Sequence, residues 1–189
     1  MIEQFCFGRG LPDNASANLI DIYKKWRDAD IIAELDKNRS DLIMVYQNIT
    51  HDFNKASAIR SGNAFNIKES YIVGARKMDK RGCVGSHRYI RTFHADNFDE
   101  VLQSLKANGY TIYAVDNISS YNPQNILDCD FPKKSAFVMG EEQKGLDEDT
   151  IRKCDGMVYI EQFGSVRSMN VACAASCIMM EYSRRYRYM

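Results

Sequence analysis

Apolar positions along this chain alternate between two periods. Residues 42–47 (LIMVYQ) form a continuous apolar run of strand length, the pattern of a strand buried on both faces. Runs of the same kind occur at 70–73, 110–115, 136–139 and 157–160, each stopping at a turn-like stretch. Between them the spacing becomes helical. Residues 55–65 (KASAIRSGNAF) carry small and apolar side chains at helical intervals, with Asn54 as the expected cap. Residues 98–108 (FDEVLQSLKAN) are amphipathic and end at Gly109, suited to the position after a helix C-cap. The stretch 171–182 reads as a last helix, core-forming and interface-forming, with Met179 and Met180 on it. Strand and helix alternate, which predicts an α/β fold with a mostly parallel sheet flanked by helices. Ahead of this, 13–38 is helical in period. Leu19, Ile22, Tyr23 and Trp26 share a stripe that Ile31, Ile32 and Leu35 continue, and Asp13, Asn14 and Ser16 offer caps. This segment is expected to be an N-terminal helical extension, residues 1–39, packed on the core or on a partner chain.

A chain of 189 residues fits one domain with a short extension. Its content of 45% hydrophobic and 26% charged residues is that of an ordinary globular protein. No run approaches the roughly 18 apolar residues of a membrane span, and the N-terminus has no signal-peptide pattern, so the cytoplasm is the expected compartment. Six cysteines are scattered without a CxxC pair or a Cys/His cluster, which argues against a metal site or a disulfide framework. Cys173 and Cys177, four apart, are expected to be buried small hydrophobes. Net charge is zero, yet Arg76, Lys77, Lys80, Arg81, Arg88 and Arg91 face a single nearby acid, Asp79. The C-terminus interleaves Arg184, Arg185 and Arg187 with tyrosines. Such patches suit phosphate contact, and equally a solvated loop and a frayed tail.

The candidate chemistry lies in the last quarter. The run at 136–139 is followed by Gly140-Glu141-Glu142-Gln143-Lys144-Gly145-Leu146, and the run at 157–160 by Phe163-Gly164-Ser165-Val166-Arg167-Ser168-Met169-Asn170. Loops beyond the carboxyl ends of parallel strands are where open α/β sheets bind ligands. Neither GxGxxG nor GxxxxGK[ST] is present, which disfavours ordinary dinucleotide and P-loop chemistry, and there is no GxSxG elbow.

Three stretches in order carry a resemblance: Asn48-x5-Asn54-x5-Arg60, Gly140-x-Glu142-x-x-Gly145-Leu146, and Gly164-Ser165-Val166-Arg167-Ser168-Met169-Asn170-Val171-Ala172. Together they resemble the SpoU (TrmH-type) RNA 2′-O-ribose methyltransferases of the SPOUT superfamily, over roughly residues 40–183. The resemblance implies a methyltransferase domain at 40–189 with a deep C-terminal trefoil knot, S-adenosylmethionine bound in the knot, and a homodimer with active sites near the subunit interface. It implies a substrate of tRNA or rRNA, no metal and no membrane partner. Arg60 matches the family's catalytic arginine, and Asn48, Glu142, Ser168 and Asn170 its polar site residues. Gly140, Gly145, Gly164, Leu146, Ile160, Ser168 and Met169 would hold the cofactor. Arg76, Lys77, Lys80, Arg81 and Arg88 would contact RNA, in a basic stretch that looks like a loop some members carry here.

The residue types fit that chemistry on their own. Methyl transfer to a hydroxyl needs an aligned nucleophile, a route for its proton and a cofactor held in line. Glycines let backbone approach an adenosine closely. An unperturbed guanidinium cannot act as a base, so gripping phosphate and positioning ribose come first for Arg60. Each residue also has a plainer role: Arg60 on a helix surface, Glu142 in a solvated turn, Ser168 and Asn170 as helix caps, His51 as a structural group. The chain departs from the family pattern at Glu141, Gln143, Glu161 and Ala172, and carboxylates beside an adenine pocket are expected to weaken cofactor binding. The competing expectations are a non-catalytic RNA-binding protein of the same fold and a methyltransferase for a substrate other than RNA.

Overall fold

The computed structural model describes residues 1–4, 18–74, 78–141 and 144–188. Its strands are β1 (Glu3–Gln4), β2 (Ile43–Gln47), β3 (Glu69–Val73), β4 (Arg91–Ala95), β5 (Thr111–Val115), β6 (Gln124–Asn125), β7 (Ser135–Met139) and β8 (Gly156–Tyr159). The helices are α1 (Asp28–Lys37), α2 (Asp52–Ala64), α3 (Phe98–Ala107), α4 (Glu148–Lys153) and α5 (Val171–Tyr186). The eight strands form one sheet in the order β1-β4-β3-β2-β7-β5-β8-β6. Only β1 runs antiparallel to its neighbour; the other pairs are parallel.

Alternation along the central strands divides the core in two. Met44 and Tyr46 of β2, with Phe137 and Met139 of β7, face Ala56 and Ile59 of α2 and Ala175, Ile178 and Tyr182 of α5. Ile43 and Val45, with Ala136 and Val138, face Phe98, Val101 and Leu105 of α3 and Ile151 of α4. All five residues of β2 are buried because helices cover both faces, so no polar alternation survives there. Asn97 caps α3 by accepting from the Glu100 amide, and Gly109 follows that helix at φ +74°, as its sequence suggested.

Several boundaries differ from the sequence reading. The stripe from Leu19 to Leu35 is not one helix. Residues 21–23 make a single 3-10 turn, Arg27 is extended, and α1 starts at Asp28. Asp28 and Asp30 in the first turn favour a helix start there, and Arg27 pairs with Asp30 at 2.8 Å. Ile20 and Ile22 are largely exposed, whereas Ile31 is buried. The caps expected at Asp13, Asn14 and Ser16 lie outside the described residues. Helix α2 begins at Asp52 rather than after Asn54, so Asn54 sits within its first turn. Strand β4 was hidden in the basic stretch, because Arg91 and His94 obscure an apolar pattern that pairs in parallel with β3.

The basic C-terminus is helical and turned inward. Arg185 donates to the carbonyls of Ile126 (2.8 Å), Leu127 (2.7 Å) and Cys129, and its guanidinium lies 4.3 Å from the Phe131 ring centroid. Arg187 donates to Phe65 O and Asn38 O at 2.8 and 2.9 Å. Tyr182 donates to Lys133 O (2.7 Å) and Tyr186 to Phe131 O. Cys173 and Cys177 are exposed, contrary to expectation, since the buried face of α5 carries Val171, Ala172, Ala175, Ile178, Met179 and Tyr182. No helix among the described residues is long and apolar enough to cross a membrane.

Candidate active site

The sheet order places the carboxyl ends of β7, β5 and β8 side by side. Beyond them opens a cavity of about 410 Å³. Gly140 leaves β7 into a tight bend in which the Gly145 amide donates to Glu141 O at 2.8 Å. A Cβ at Gly140 would stand 2.4 Å from the Gly145 carbonyl carbon and 2.5 Å from the Leu146 nitrogen, so only glycine fits. Gly145 itself has φ +68°.

Of the residues expected to hold a cofactor, Gly140, Gly145, Ile160, Ser168 and Met169 line this cavity. Leu146 does not. It is 5% exposed and packs in the α3/α4 half of the core. Gly164 is also not among the described lining residues, and no atom lies within 4 Å of where its Cβ would be. The cavity has contributors that the sequence did not single out as site residues: Asp116 and Asn117 after β5, Tyr159 and Gln162, and Lys144 and Arg167 from within the two motif loops. Asp116 and Asn117 end a strand by the same pattern as Gly140 does. Only the pairing of β5 between β7 and β8 brings them to the cavity.

Asn170 is not among the lining residues, although Met169 and Val171 on either side of it are. Its Oδ1 accepts from the Ala172 and Cys173 amides at 2.9 and 3.3 Å, capping α5, and its Nδ2 donates to Asn54 Oδ1 at 3.1 Å. Asn54 thus ties the first motif to the third, and Ser176 Oγ, bonded to Ser61 Oγ at 2.9 Å, holds α5 to α2 one turn further on. Asn48 stands exposed at the end of β2 in the left-handed region, φ +53°, its side chain directed at Gly74. Arg60 is exposed on α2 and lines a different cleft, of about 260 Å³, with Asn63, Cys83, Val84, Arg88 and Tyr89 among others. The cavity and Arg60 are therefore not brought together within one chain. Glu142 lies outside the described residues. Glu161 accepts from Asn125 Nδ2 at 3.1 Å, whereas Glu141 lines the cavity.

The basic segment is partly neutralised from within. Arg81 pairs with Asp79 at 2.7 Å yet keeps its side chain 90% exposed. Arg88 pairs with Asp28 of α1 and lies 5.7 Å from the Tyr89 ring centroid. Burial, then Lys80 and Arg88, holds His87 below the usual imidazole range. Arg76 and Lys77 lie outside the described residues, and Lys80 opens the 3-10 turn of residues 80–83. Among the described residues there is no group of acidic, His and Cys side chains that could hold a metal ion.

A family model described as "SpoU rRNA Methylase family" matches residues 41–180. A tRNA (guanosine(18)-2′-O)-methyltransferase of Thermus thermophilus is 26% identical over 154 residues, covering 80% of this chain and 78% of that one. The crystal structure of the A. aeolicus TrmH/SpoU tRNA modifying enzyme superposes with a TM-score of 0.75 at 25% identity, covering 86% of this chain and 83% of that chain. The SpoU methyltransferase AviRb from Streptomyces viridochromogenes, in complex with AdoMet, superposes with a TM-score of 0.67 at 25% identity. There the match covers 78% of this chain and 58% of the other.

Proposed function

We propose that this chain, which belongs to the SpoU rRNA Methylase family, transfers the methyl group of S-adenosylmethionine to a ribose 2′-hydroxyl of tRNA or rRNA. One observation carries the reading. Gly140, Glu141 and Gly145 beyond β7 and Ser168 and Met169 ahead of α5 line one cavity, and a Cβ at residue 140 would collide with the Gly145 and Leu146 backbone. Its volume of about 410 Å³ lies within the range of small-molecule sites, roughly 300–1,000 Å³. Met139, Ile160, Met169 and Val171 offer apolar walls for an adenine, and the bend offers backbone groups. Glu141 and Asp116 add negative charge to the lining, which suits a sulfonium. The residues present fit the cofactor.

When bound, S-adenosylmethionine supplies the electrophilic methyl carbon. The chain must align a ribose oxygen with it and let the hydroxyl proton leave. Asn170, fixed by the α5 amides and Asn54, and Ser168 on the cavity wall would order the substrate side. Arg60 would grip phosphate and position the ribose, with Lys80, Arg81 and Arg88 extending the track; Asn48 orders the end of β2.

Because Arg60 does not line the cavity of its own chain, the reading calls for a homodimer in which a second copy completes each site. Phe53, Phe163, Val166 and Met180 are 53–91% exposed, and Cys173 and Cys177 share the outer face of α5 with Met180. Large apolar residues left this exposed suit a subunit interface. The central position of β7 between β2 and β5, with α5 returning to α2, is in keeping with a C-terminal trefoil knot. Residues 1–39 would be an extension to the methyltransferase domain at 40–189, anchored through Asp28 and Asp36 to Arg88 and Arg91. An RNA substrate suits the cytoplasm.

Titration of the protein with S-adenosylmethionine by calorimetry tests the reading. Saturable binding that Gly140→Ala weakens about 10–100-fold, followed by methylation of an RNA pool that Arg60→Ala prevents, is the expected result. A folded dimer that shows no binding at millimolar cofactor would favour a non-catalytic RNA-binding protein instead.

A further inference from the structure

Asp116 follows β5 directly and lines the cavity, and nothing above gives it a role beyond the negative charge it adds there. Its backbone amide donates to Val158 O of β8 at 3.0 Å, which anchors the residue between two strands. One carboxylate oxygen, Oδ1, accepts from the Asn117 amide at 2.7 Å. The other, Oδ2, lies 2.7 Å from where a Cβ on Gly145 would stand. The carboxylate therefore occupies the space that Gly145 leaves open, and the bend and the acid are built for each other. Lys144 and Arg167 line the same cavity, yet among the described residues neither pairs with Asp116. A carboxylate offers about four lone-pair sites, and the described contacts use one.

We infer that Asp116 is a specificity-determining ligand for the cofactor, its free oxygen accepting hydrogen bonds from the ribose hydroxyls of the adenosyl group. This rests on the methyltransferase reading. The ligand class follows from chemistry. A fixed carboxylate at the end of a parallel strand, beside a backbone bend that admits a nucleoside, matches a vicinal diol, which presents two donors side by side. A hydrogen bond to a charged acceptor discriminates strongly, since an analogue lacking the donor leaves the acceptor buried without a partner. Gly145 is then required twice, for its backbone conformation and for the room it leaves the acid.

The test is calorimetric binding of S-adenosylhomocysteine, its 2′-deoxy and 3′-deoxy analogues, and S-adenosylmethionine, to the full chain and to Asp116→Ala and Asp116→Asn. Thermal unfolding without ligand reports whether each variant is folded, and Asp116→Asn keeps an acceptor for the Asn117 amide should the alanine fail to fold. The full chain is expected to bind the ribose form about 10–100-fold more tightly than at least one deoxy analogue. In a folded variant that preference should fall to within a few-fold. A preference that survives unchanged overturns the assignment and leaves the cofactor site standing. A variant that loses only selectivity for S-adenosylmethionine over S-adenosylhomocysteine overturns it too, assigning the acid to the sulfonium. No binding of any of these by the folded wild-type chain removes the methyltransferase reading itself.

Discussion

The two ends of α5 carry similar chemistry and have opposite fates. At the C-terminal end, arginines and tyrosines that look like a phosphate-binding tail are spent inside the molecule. Arg185 and Arg187 bond five carbonyls, and Glu181, 6% exposed, takes Arg184 and Arg185 at 2.8 and 2.6 Å. At the N-terminal end, Asn170 caps the helix, but the loop leading to it stays open, with Phe163 at 91% and Val166 at 69% exposure. A polar group whose bonding capacity is met within the fold serves the fold. One left beside a cavity and exposed apolar side chains is available to a ligand or a partner.

That contrast can be broken at either end. The largest effect is expected from Arg185→Ala, which strips three carbonyls of their donor and leaves Glu181 with Arg184 alone; chemical unfolding should report a loss of about 3–5 kcal/mol. Cofactor affinity per folded molecule should change little. Gly140→Ala should do the reverse. Overpacking of about 1–3 kcal/mol falls on the bend, so calorimetry should show cofactor binding weakened about 10–100-fold. Asn170→Ala should cost about 1 kcal/mol of stability through the lost cap, and Asn170→Ser should recover most of it without restoring the bond to Asn54. A serine variant with full cofactor affinity would show that the Asn54 link has no part in the site.

The smaller effects concern charge. Hydrogen bonds from Arg184, then from Arg185, hold the Glu181 carboxyl below its usual range. The folded form thus releases its proton more readily than the unfolded one. Its contribution is complete above the unfolded carboxyl's range, near pH 4.5, and is lost as pH falls through the lower folded value. Unfolding free energy measured against pH should therefore fall on the acid side, and Glu181→Gln should flatten that fall. Arg184→Ala removes a half-exposed cation and leaves Glu181 bonded to Arg185, so stability should change by less than about 1 kcal/mol.

Much of the fold was legible because burial on both faces writes continuous apolar runs; β2, β3, β5, β7 and β8 lie within a residue of where the hydrophobic pattern put them. Strand β4 was not, since His94, whose Nε2 sits 2.8 Å from Gly74 O, is a polar side chain paid for by a contact that has no local signature. The burial of Cys173 and Cys177 was misjudged for a related reason. A helix with small residues on several sides does not reveal which face meets the sheet. Of the residues that line the cavity, Gly140 was reached from motif spacing, while Asp116 came to view only with the strand order.

The sequence by itself determined the alternation of elements, the helix end at Gly109, and the glycines at 140 and 145, because those depend on a residue's own backbone and its near neighbours. The tertiary structure alone decided that β5 lies between β7 and β8, that Asn54 reaches Asn170 across 116 residues, that Arg60 lines a cleft other than its own chain's cavity, and that the C-terminal arginines turn inward. Those outcomes depend on which distant groups compete for the same hydrogen bonds and the same buried surface, and that competition is settled only when the whole chain has packed.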